Sequence, residues 1–191
     1  MTHTPQVLFI VGSLREGSFN RVLAQHAAAS LAERAETSFL DYTDVPFMNQ
    51  DIEFPPPASV TRVRDEVTTA DAVWFVSPEY NHTMTAPLKN VIDWLSRPLV
   101  AGDYTMPRPL TGKPVAIAGA GGGAAAAGGR EHLAQLLTFL QADVIGGAGE
   151  GFSLPKEAWT QGVYDVPAED EQRLAAQGEA LLAAVEGAAQ A

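Results

Sequence analysis

Residues 7–20 decide the fold, and they read Val7-Leu8-Phe9-Ile10-Val11-Gly12-Ser13-Leu14-Arg15-Glu16-Gly17-Ser18-Phe19-Asn20. An apolar run leads into a small polar loop, and a helical stretch follows. This order predicts an anion site, because the free N–H groups and the dipole at a helix N-terminus both attract phosphate. Ser13, Ser18 and Asn20 can donate hydrogen bonds to such an anion. Arg15 adds a planar cation whose fork matches phosphate oxygens.

The same loop also fits other assignments. A Gly- and Ser-rich connection can be a tight turn in which Ser18 only caps the helix. The Gly-Lys-Ser/Thr ending of a nucleoside-triphosphate loop is missing, and Gly12 and Gly17 lack the GxGxxG spacing of a dinucleotide site. A ligand with a single phosphate is therefore favoured over a nucleoside triphosphate.

Composition limits the classes of protein. The 191 residues predict one domain, residues 1–191, with a tail after residue 187 that is expected to fray. The formal net charge of −11 argues against nucleic-acid and anionic-membrane partners. The absence of cysteine excludes disulfides and thiolate sites, and the four scattered histidines predict no metal site. No apolar run approaches the roughly 20 residues that span a bilayer. A cytoplasmic enzyme or carrier is therefore expected.

Strand-like and helix-like segments alternate along the chain. Apolar runs predict five strands, and the apolar periodicity between them predicts helices on both faces of a sheet. The predicted strands are residues 7–11, 37–40, 72–77, 114–118 and 143–145. After the first helix, the predicted helices include residues 59–69, 88–95, 133–140 and 169–186. This alternation predicts a three-layer α/β domain in which the loops after strands one, three and four meet at the carboxyl edge.

The loop after the third strand reads Ser77-Pro78-Glu79-Tyr80-Asn81-His82-Thr83-Met84. Pro78 and Asn81 are turn formers, so part of this loop is expected to curve with free N–H groups that suit the edge of a flavin ring. Tyr80 offers a flat face beside a planar ligand. Glu79 is either a general acid or base or, as is commoner, a solvated carboxylate. An ordinary strand-to-helix turn is the alternative for the whole loop.

The loop after the fourth strand, residues 119–129, begins Gly119-Ala120-Gly121-Gly122-Gly123-Ala124. Its GxG pattern raises the alternative of a nucleotide-binding module with a pyrophosphate site. Such a site follows the first strand and has an acidic residue about 20 positions on, where this chain has Phe139 and Leu140. The favoured interpretation is a loop poor in side chains that lets a flat ring lie against its backbone. A merely flexible loop is the alternative.

Three motifs follow one another in register: Gly12-Ser13-Leu14-Arg15-x-x-Ser18-x-Asn20, Pro78-Glu79-Tyr80-Asn81 and Leu88-Lys89-Asn90-x-x-Asp93-Trp94. Together they resemble the NADPH-dependent FMN reductase family, a flavodoxin-like group that includes bacterial quinone, chromate and azo-dye reductases. The resemblance runs over nearly the whole chain. It implies a flavodoxin-like three-layer sandwich with a five-stranded parallel sheet of order 2-1-3-4-5 and helices on both faces. It also implies a non-covalently bound FMN.

The resemblance implies roles for individual residues. Those that would hold the FMN phosphate are Ser13, Arg15, Ser18 and Asn20, with the amide of Phe19. Those that would line the isoalloxazine ring are Pro78, Glu79, Tyr80 and Asn81. The loop 119–123 would close the other side of the ring, with Gly119, Gly121 and Gly122 as its cofactor-binding residues. The chain departs from the family in this third loop, where glycines and alanines replace a serine-containing segment.

Family resemblance extends to the reaction. It implies that NADPH or NADH delivers hydride to flavin N5 and that a second substrate then takes its place, without a catalytic acid or base from the protein. The expected function is FMN-dependent transfer of electrons from NAD(P)H to a quinone-like, azo or other small acceptor, with ping-pong kinetics. A homodimer or homotetramer is expected. The alternative is an FMN-binding electron carrier or redox-linked regulatory protein without its own turnover.

Overall fold

A parallel sheet forms the centre of the fold. The computed structural model describes residues 3–188. Its strands are β1 (Gln6–Val11), β2 (Glu36–Phe39), β3 (Ala72–Val76), β4 (Pro114–Gly121), β5 (Asp143–Val144) and β6 (Glu150–Ser153). Its helices are α1 (Phe19–Leu31), α2 (Ala58–Thr69), α3 (Ala86–Leu95), α4 (Ala127–Phe139), α5 (Lys156–Gln161) and α6 (Ala168–Ala188), and a 3-10 turn spans Gln50–Ile52.

The strand order is β2-β1-β3-β4-β5 with every pair parallel, which confirms the predicted flavodoxin-like order 2-1-3-4-5. The register is marked by three aromatic rings, because Phe9 lies directly opposite both Phe39 and Trp74. The Phe9 ring stacks on these neighbours with centroid distances of 5.3 and 5.4 Å. Stacked rings on adjacent strands fix the pairing of β2, β1 and β3.

Alternate residues of the buried strands face two separate apolar clusters. Phe9 and its neighbours of the same parity pack with Leu23 of α1 and Leu181 of α6. Ile10 and its neighbours pack with helices α2, α3 and α4, for example with Val63 of α2. A parallel sheet that is covered on both faces needs strands that are apolar throughout, which explains the uninterrupted run in β1. The three-layer prediction is confirmed.

The fifth strand differs from the prediction of one strand over residues 143–145. Two short strands are found instead. Strand β5 pairs with the start of β4, and strand β6 pairs with the end of β4. Between them Gly149 has φ +63°, and a side chain there would overlap the carbonyl oxygen of Ile117. That oxygen instead accepts a 2.8 Å hydrogen bond from Gln177 Nε2 of α6. Glycines in the left-handed region interrupt the strand, and a helix side chain replaces the missing ladder bond.

The end of the fourth strand also differs from the prediction. Strand β4 continues to Gly121 rather than ending at residue 118, because β6 provides it with a parallel partner from Ala118 to Gly121. Gly119 is therefore a strand residue, the third loop is residues 122–126, and Gly128 and Gly129 belong to α4. A glycine- and alanine-rich run carries no strand periodicity, so the sequence could not indicate this extension.

Two helices, α5 and α6, follow the last strand. Helix α5 was not predicted, and it is only six residues long. Helix α6 begins at Ala168 and ends at Ala188. Its first turn contains Glu169, Asp170 and Glu171, as predicted for a helix N-terminus. The predicted frayed tail otherwise falls on residues 189–191, outside the described part of the chain. Within residues 3–188, no helix is both long and apolar enough to cross a membrane.

Candidate functional site

A cavity of about 310 Å³ lies at the carboxyl edge of the sheet, where the loops after β1, β3 and β4 meet. The predicted convergence of these three loops is therefore confirmed. Ten of the twelve predicted site residues line the cavity: Ser13, Arg15, Ser18, Phe19, Asn20, Pro78, Glu79, Tyr80, Gly121 and Gly122. Residues of the first loop form one end of the cavity, and residues of the second and third loops and of the segment after β6 form the rest.

Asn81 and Gly119 do not line the cavity, and both shape its walls. Asn81 and His82 have φ values of 52° and 61° at the centre of a tight turn. Reciprocal backbone hydrogen bonds between Tyr80 and Thr83, at 3.0 and 3.2 Å, close this turn. The prediction that Asn81 is a turn former is confirmed, since asparagine tolerates the left-handed region. Gly119 lies where the ends of β3 and β4 approach closely. The predicted ligand contacts of both residues stay predictions.

Ser18 is the N-cap of α1, and its Oγ accepts a 3.3 Å hydrogen bond from the N–H of Arg21. The capping role considered for this serine is thus confirmed. It is compatible with anion binding, because a hydroxyl oxygen can accept one bond while its proton is donated elsewhere. The N–H groups of Phe19 and Asn20 are the first two of the helix and have no carbonyl partner within it. Both residues line the cavity.

Arg15 supplies a positive charge at this end of the cavity. Its side chain is exposed, and the guanidinium carbon lies 4.8 Å from the centre of the Phe19 ring. Within residues 3–188 no carboxylate forms an ion pair with it. A cation that rests on an aromatic face keeps its fork of donors available for an anion.

Asn20 has a structural role that the sequence did not reveal. Its side-chain Nδ2 donates to the carbonyl of Ala120 at 3.0 Å, and the N–H of Ala120 donates to Asn20 Oδ1 at 2.8 Å. This buried reciprocal pair fastens the start of α1 to the end of β4. One Nδ2 proton remains for a ligand. The two partners are 100 residues apart in sequence, so no local pattern could indicate the pair.

Glu79 joins the second loop to the third. Its Oε2 accepts a 2.9 Å hydrogen bond from the N–H of Gly129, the third residue of α4. Helix α4 has Ala126 at its N-cap and no side-chain cap of its own there. Glu79 therefore caps the helix from another loop, where its charge also complements the helix dipole. This contact shows that Glu79 is not simply a solvated carboxylate, and the alternative of a general acid or base stays a prediction.

Arg130 ties the third loop to the interrupted fifth strand. Its Nε donates to the carbonyl of Ala125 at 3.1 Å, and Nη1 donates to the carbonyls of Ala148 and Gly149, each at 2.8 Å. Burial lowers the pKa of this guanidinium from its ordinary value. An arginine remains protonated even so, and it thus holds three carbonyls of two irregular segments together beside the cavity.

Sequence reasoning missed four lining residues, which are Ala124, Ala126, Leu154 and Trp159. Ala120 and Gly123, which also line the cavity, belong to the predicted loop 119–123. The backbone of this glycine- and alanine-rich run, which also contains Ala124 and Ala126, forms one wall. Leu154 and Trp159 come from the segment after β6, where no sequence motif pointed to a site. The N–H of Leu154 donates to the carbonyl of Gly121 at 2.8 Å, which places this segment against the third loop.

Residues of the third sequence motif, Leu88–Trp94, do not line the cavity, and they hold the loop after β2 instead. Asn90 Nδ2 and Trp94 Nε1 both donate to the carbonyl of Pro46, at 3.0 and 2.8 Å. The N–H of Met48 donates to Asn90 Oδ1 at 2.8 Å. Helix α3 thereby fixes the connection that follows β2, and Lys89 pairs with Asp93 on its exposed side.

Known proteins resemble the chain in both sequence and fold. The family model of the NADPH-dependent FMN reductases matches residues 5–152. An NAD(P)H-dependent FMN reductase of Pseudomonas aeruginosa is 40% identical over 144 residues, which cover 73% of this chain and 73% of that protein. A quinone reductase of Escherichia coli is 39% identical over 156 residues, 76% of each chain. The solved structure of FerB, a flavoenzyme NAD(P)H:(acceptor) oxidoreductase from Paracoccus denitrificans, is 28% identical with a TM-score of 0.82. It covers 96% of this chain and 98% of that one.

Proposed function

Because the chain belongs to the NADPH-dependent FMN reductase family, it is a flavin-dependent oxidoreductase that uses FMN and NAD(P)H, and we propose that FMN binds in the cavity between the three loops. The observation that carries this proposal is the contrast between the two ends of the cavity. One end holds a helix N-terminus and a cation without an acidic partner among residues 3–188, and the other is walled by backbone. A phosphate monoester joined to a flat ring fits both ends.

The phosphate end is formed by the first loop. The groups there are the N–H donors of Phe19 and Asn20, the hydroxyls of Ser13 and Ser18, and the Arg15 guanidinium. Each of these groups donates, so together they complement the acceptor oxygens of a phosphate. Among the described residues that line the cavity, Glu79 is the only acidic one, and its carboxylate is directed at the start of α4. The donor set therefore fits the group.

The ring end is formed by the second and third loops. Pro78 and Tyr80 offer flat apolar surfaces on one side, and Tyr80 is about half exposed. On the other side, a Cβ added at Gly122 or Gly123 would meet no other atom within 4 Å, so this wall has room above its backbone. Bound FMN supplies the hydride chemistry that NAD(P)H and the acceptor require. The role of these residues is to hold the ring between peptide and aromatic surfaces and to leave access from the Tyr80 side.

The acceptor is a quinone-like, azo or other small molecule that takes the place of NAD(P)H after it departs, which gives ping-pong kinetics. Support comes from a site in which the one carboxylate among the described lining residues, that of Glu79, has a structural role. The protein then supplies binding and orientation, and it supplies no catalytic acid or base. The homodimer or homotetramer and the cytoplasmic location stay predictions from the sequence.

The test begins with the absorbance spectrum of the purified protein, which should contain a flavin band or gain one when FMN is added. Under anaerobic conditions, NADPH should then be oxidised by no more than one equivalent per bound flavin, and its oxidation should continue only while a quinone such as benzoquinone is present. Initial rates over a matrix of NADPH and quinone concentrations should give parallel double-reciprocal lines. An FMN-loaded protein that oxidises no NADPH with quinone present would instead be an electron carrier or a regulatory protein. Intersecting lines would contradict the ping-pong order.

A further inference from the structure

Trp159 forms part of the cavity wall from a helix that the family motifs do not include. It lies on α5 and lines the cavity together with Arg15 and Phe19. The matched family segment is residues 5–152, and α5 begins at Lys156, beyond its end. Trp159 therefore lies outside the segment that the family model matches.

Trp159 is the exposed one among the three tryptophans of the chain. It is 58% exposed, whereas Trp74 and Trp94 are fully buried. Loose attachment of α5 does not explain this difference. The preceding Ala158 is 3% exposed in the core cluster beneath α1 and α6, and the nearby Tyr164 is also buried there. The helix is thus seated on the core while it holds an indole at the edge of the cavity, where the exposed indole face is available to a ligand in the cavity.

The neighbours of Trp159 define which end of the cavity it covers. Its ring meets the Phe19 ring edge-on, with centroids 5.3 Å apart and an interplanar angle of 90°. Arg15 lies over the same Phe19 ring. Phe19 is the first residue of α1, so the indole stands beside the helix N-terminus and the cation, at the phosphate end. Edge-to-face contact with a buried ring restrains the position of the indole.

We propose that Trp159 covers the phosphate and ribityl end of bound FMN and slows its dissociation. This inference rests on the proposed site of FMN. We expect FMN to be the ligand that Trp159 covers, because the indole and the proposed phosphate-binding groups line the same cavity. Burial of the exposed indole face against the cofactor excludes water from the charge-assisted hydrogen bonds made by Arg15, and it adds apolar contact with the ribityl chain.

The first test measures the rate at which FMN leaves the holoenzyme after dilution, followed by the rise in free flavin fluorescence. Trp159→Ala should speed dissociation about tenfold, as expected for the loss of one partly buried aromatic contact. Trp159→Phe should stay within about threefold of the wild-type rate, because it retains an aromatic face. Phe139→Ala is the matched control, since Phe139 is an exposed aromatic residue far from this cavity. Its rate should equal that of the wild type.

The second test is independent of binding kinetics and of turnover. Mild oxidation with N-bromosuccinimide, read by mass spectrometry of peptides, should modify Trp159 in the apoprotein and much less in the holoenzyme. Met106, exposed and outside the cavity, should be oxidised equally in both and serves as the internal standard. If the wild type retains FMN but Trp159→Ala releases it at the wild-type rate, the proposal is wrong while the proposed function stands. Equal oxidation of Trp159 in the apoprotein and the holoenzyme would likewise contradict the role of Trp159 and leave the proposed function standing. A wild type that binds no FMN would contradict both.

Discussion

The backbone N–H of Gly129 donates a 2.9 Å hydrogen bond to the carboxylate of Glu79, across 50 residues of sequence. This contact links the second and third loops of the cavity and caps a helix that has no side-chain cap at its own N-terminus. The Glu79 carboxylate is thus one of the contacts that set the separation of the second and third loops.

Removing this cap should lower both stability and cofactor affinity. Glu79→Ala is expected to cost about 0.5–2 kcal/mol in the free energy of unfolding, the range for the loss of a helix N-cap. FMN affinity should fall as well, because the third loop loses its tie to the second. Urea unfolding and FMN titration measure the two effects. Glu79→Gln should have smaller effects on both quantities, since its amide oxygen can still accept the hydrogen bond. Glu33→Ala is the control, because Glu33 is exposed and does not line the cavity, and it should change neither quantity. A stable Glu79→Ala variant with wild-type FMN affinity would contradict the capping role.

Arg15 should govern FMN affinity without governing stability. Its side chain is exposed and pairs with no carboxylate of residues 3–188, so Arg15→Ala should leave the urea midpoint nearly unchanged. FMN binding should weaken by about 1–3 kcal/mol, the range for losing a charge-assisted hydrogen-bond partner. Riboflavin, which has no phosphate, should bind both forms alike. Arg108→Ala, distant from the cavity, is the control. Unchanged FMN affinity in Arg15→Ala would refute the phosphate assignment.

Replacement by alanine should lower stability at Gly119, in strand β4, and should leave it nearly unchanged at Gly122, in the third loop. A Cβ at Gly119 would lie 2.5 Å from the backbone carbonyl oxygen of Ser77, so Gly119→Ala must push apart the ends of β3 and β4. Overpacking of this kind costs about 1–3 kcal/mol. A Cβ at Gly122 would meet nothing within 4 Å, so Gly122→Ala should change stability by less than about 0.5 kcal/mol. Thermal and urea unfolding would compare them, and equal stabilities would show that Gly119 does not form this close approach.

Tyr164 should make the protein less stable at high pH. Burial and the nearby carboxylate of Asp170 raise its pKa to about 12 from an ordinary value of 10.0. The folded state therefore favours the neutral phenol, and this contribution is complete below pH 10 and is lost as the pH rises towards 12. Urea unfolding at several pH values across this window should show the decline. Tyr164→Phe should show a shallower one. Some decline should remain, because burial also raises the pKa of Tyr42.

Local patterns determined the first βα unit, the amphipathic helix α3 and the convergence of three loops. Each of these depends on the order of neighbouring residues, so a sequence can indicate it. The second part of the fifth strand, β6, escaped prediction because it is short and follows glycines with positive φ. Helix α5 escaped prediction for a related reason, since six residues carry too little periodicity to be recognised.

By itself, the sequence determined the α/β fold, the donor-rich first loop and ten of the residues that line the cavity. Only the tertiary structure decided how those residues are used. It gave the side chains of Asn20 and Glu79 structural partners far along the chain, and it brought Trp159 to the rim beside Phe19. The physical reason is that backbone geometry and apolar periodicity are local, whereas hydrogen bonds between loops depend on where the sheet places the ends of its strands.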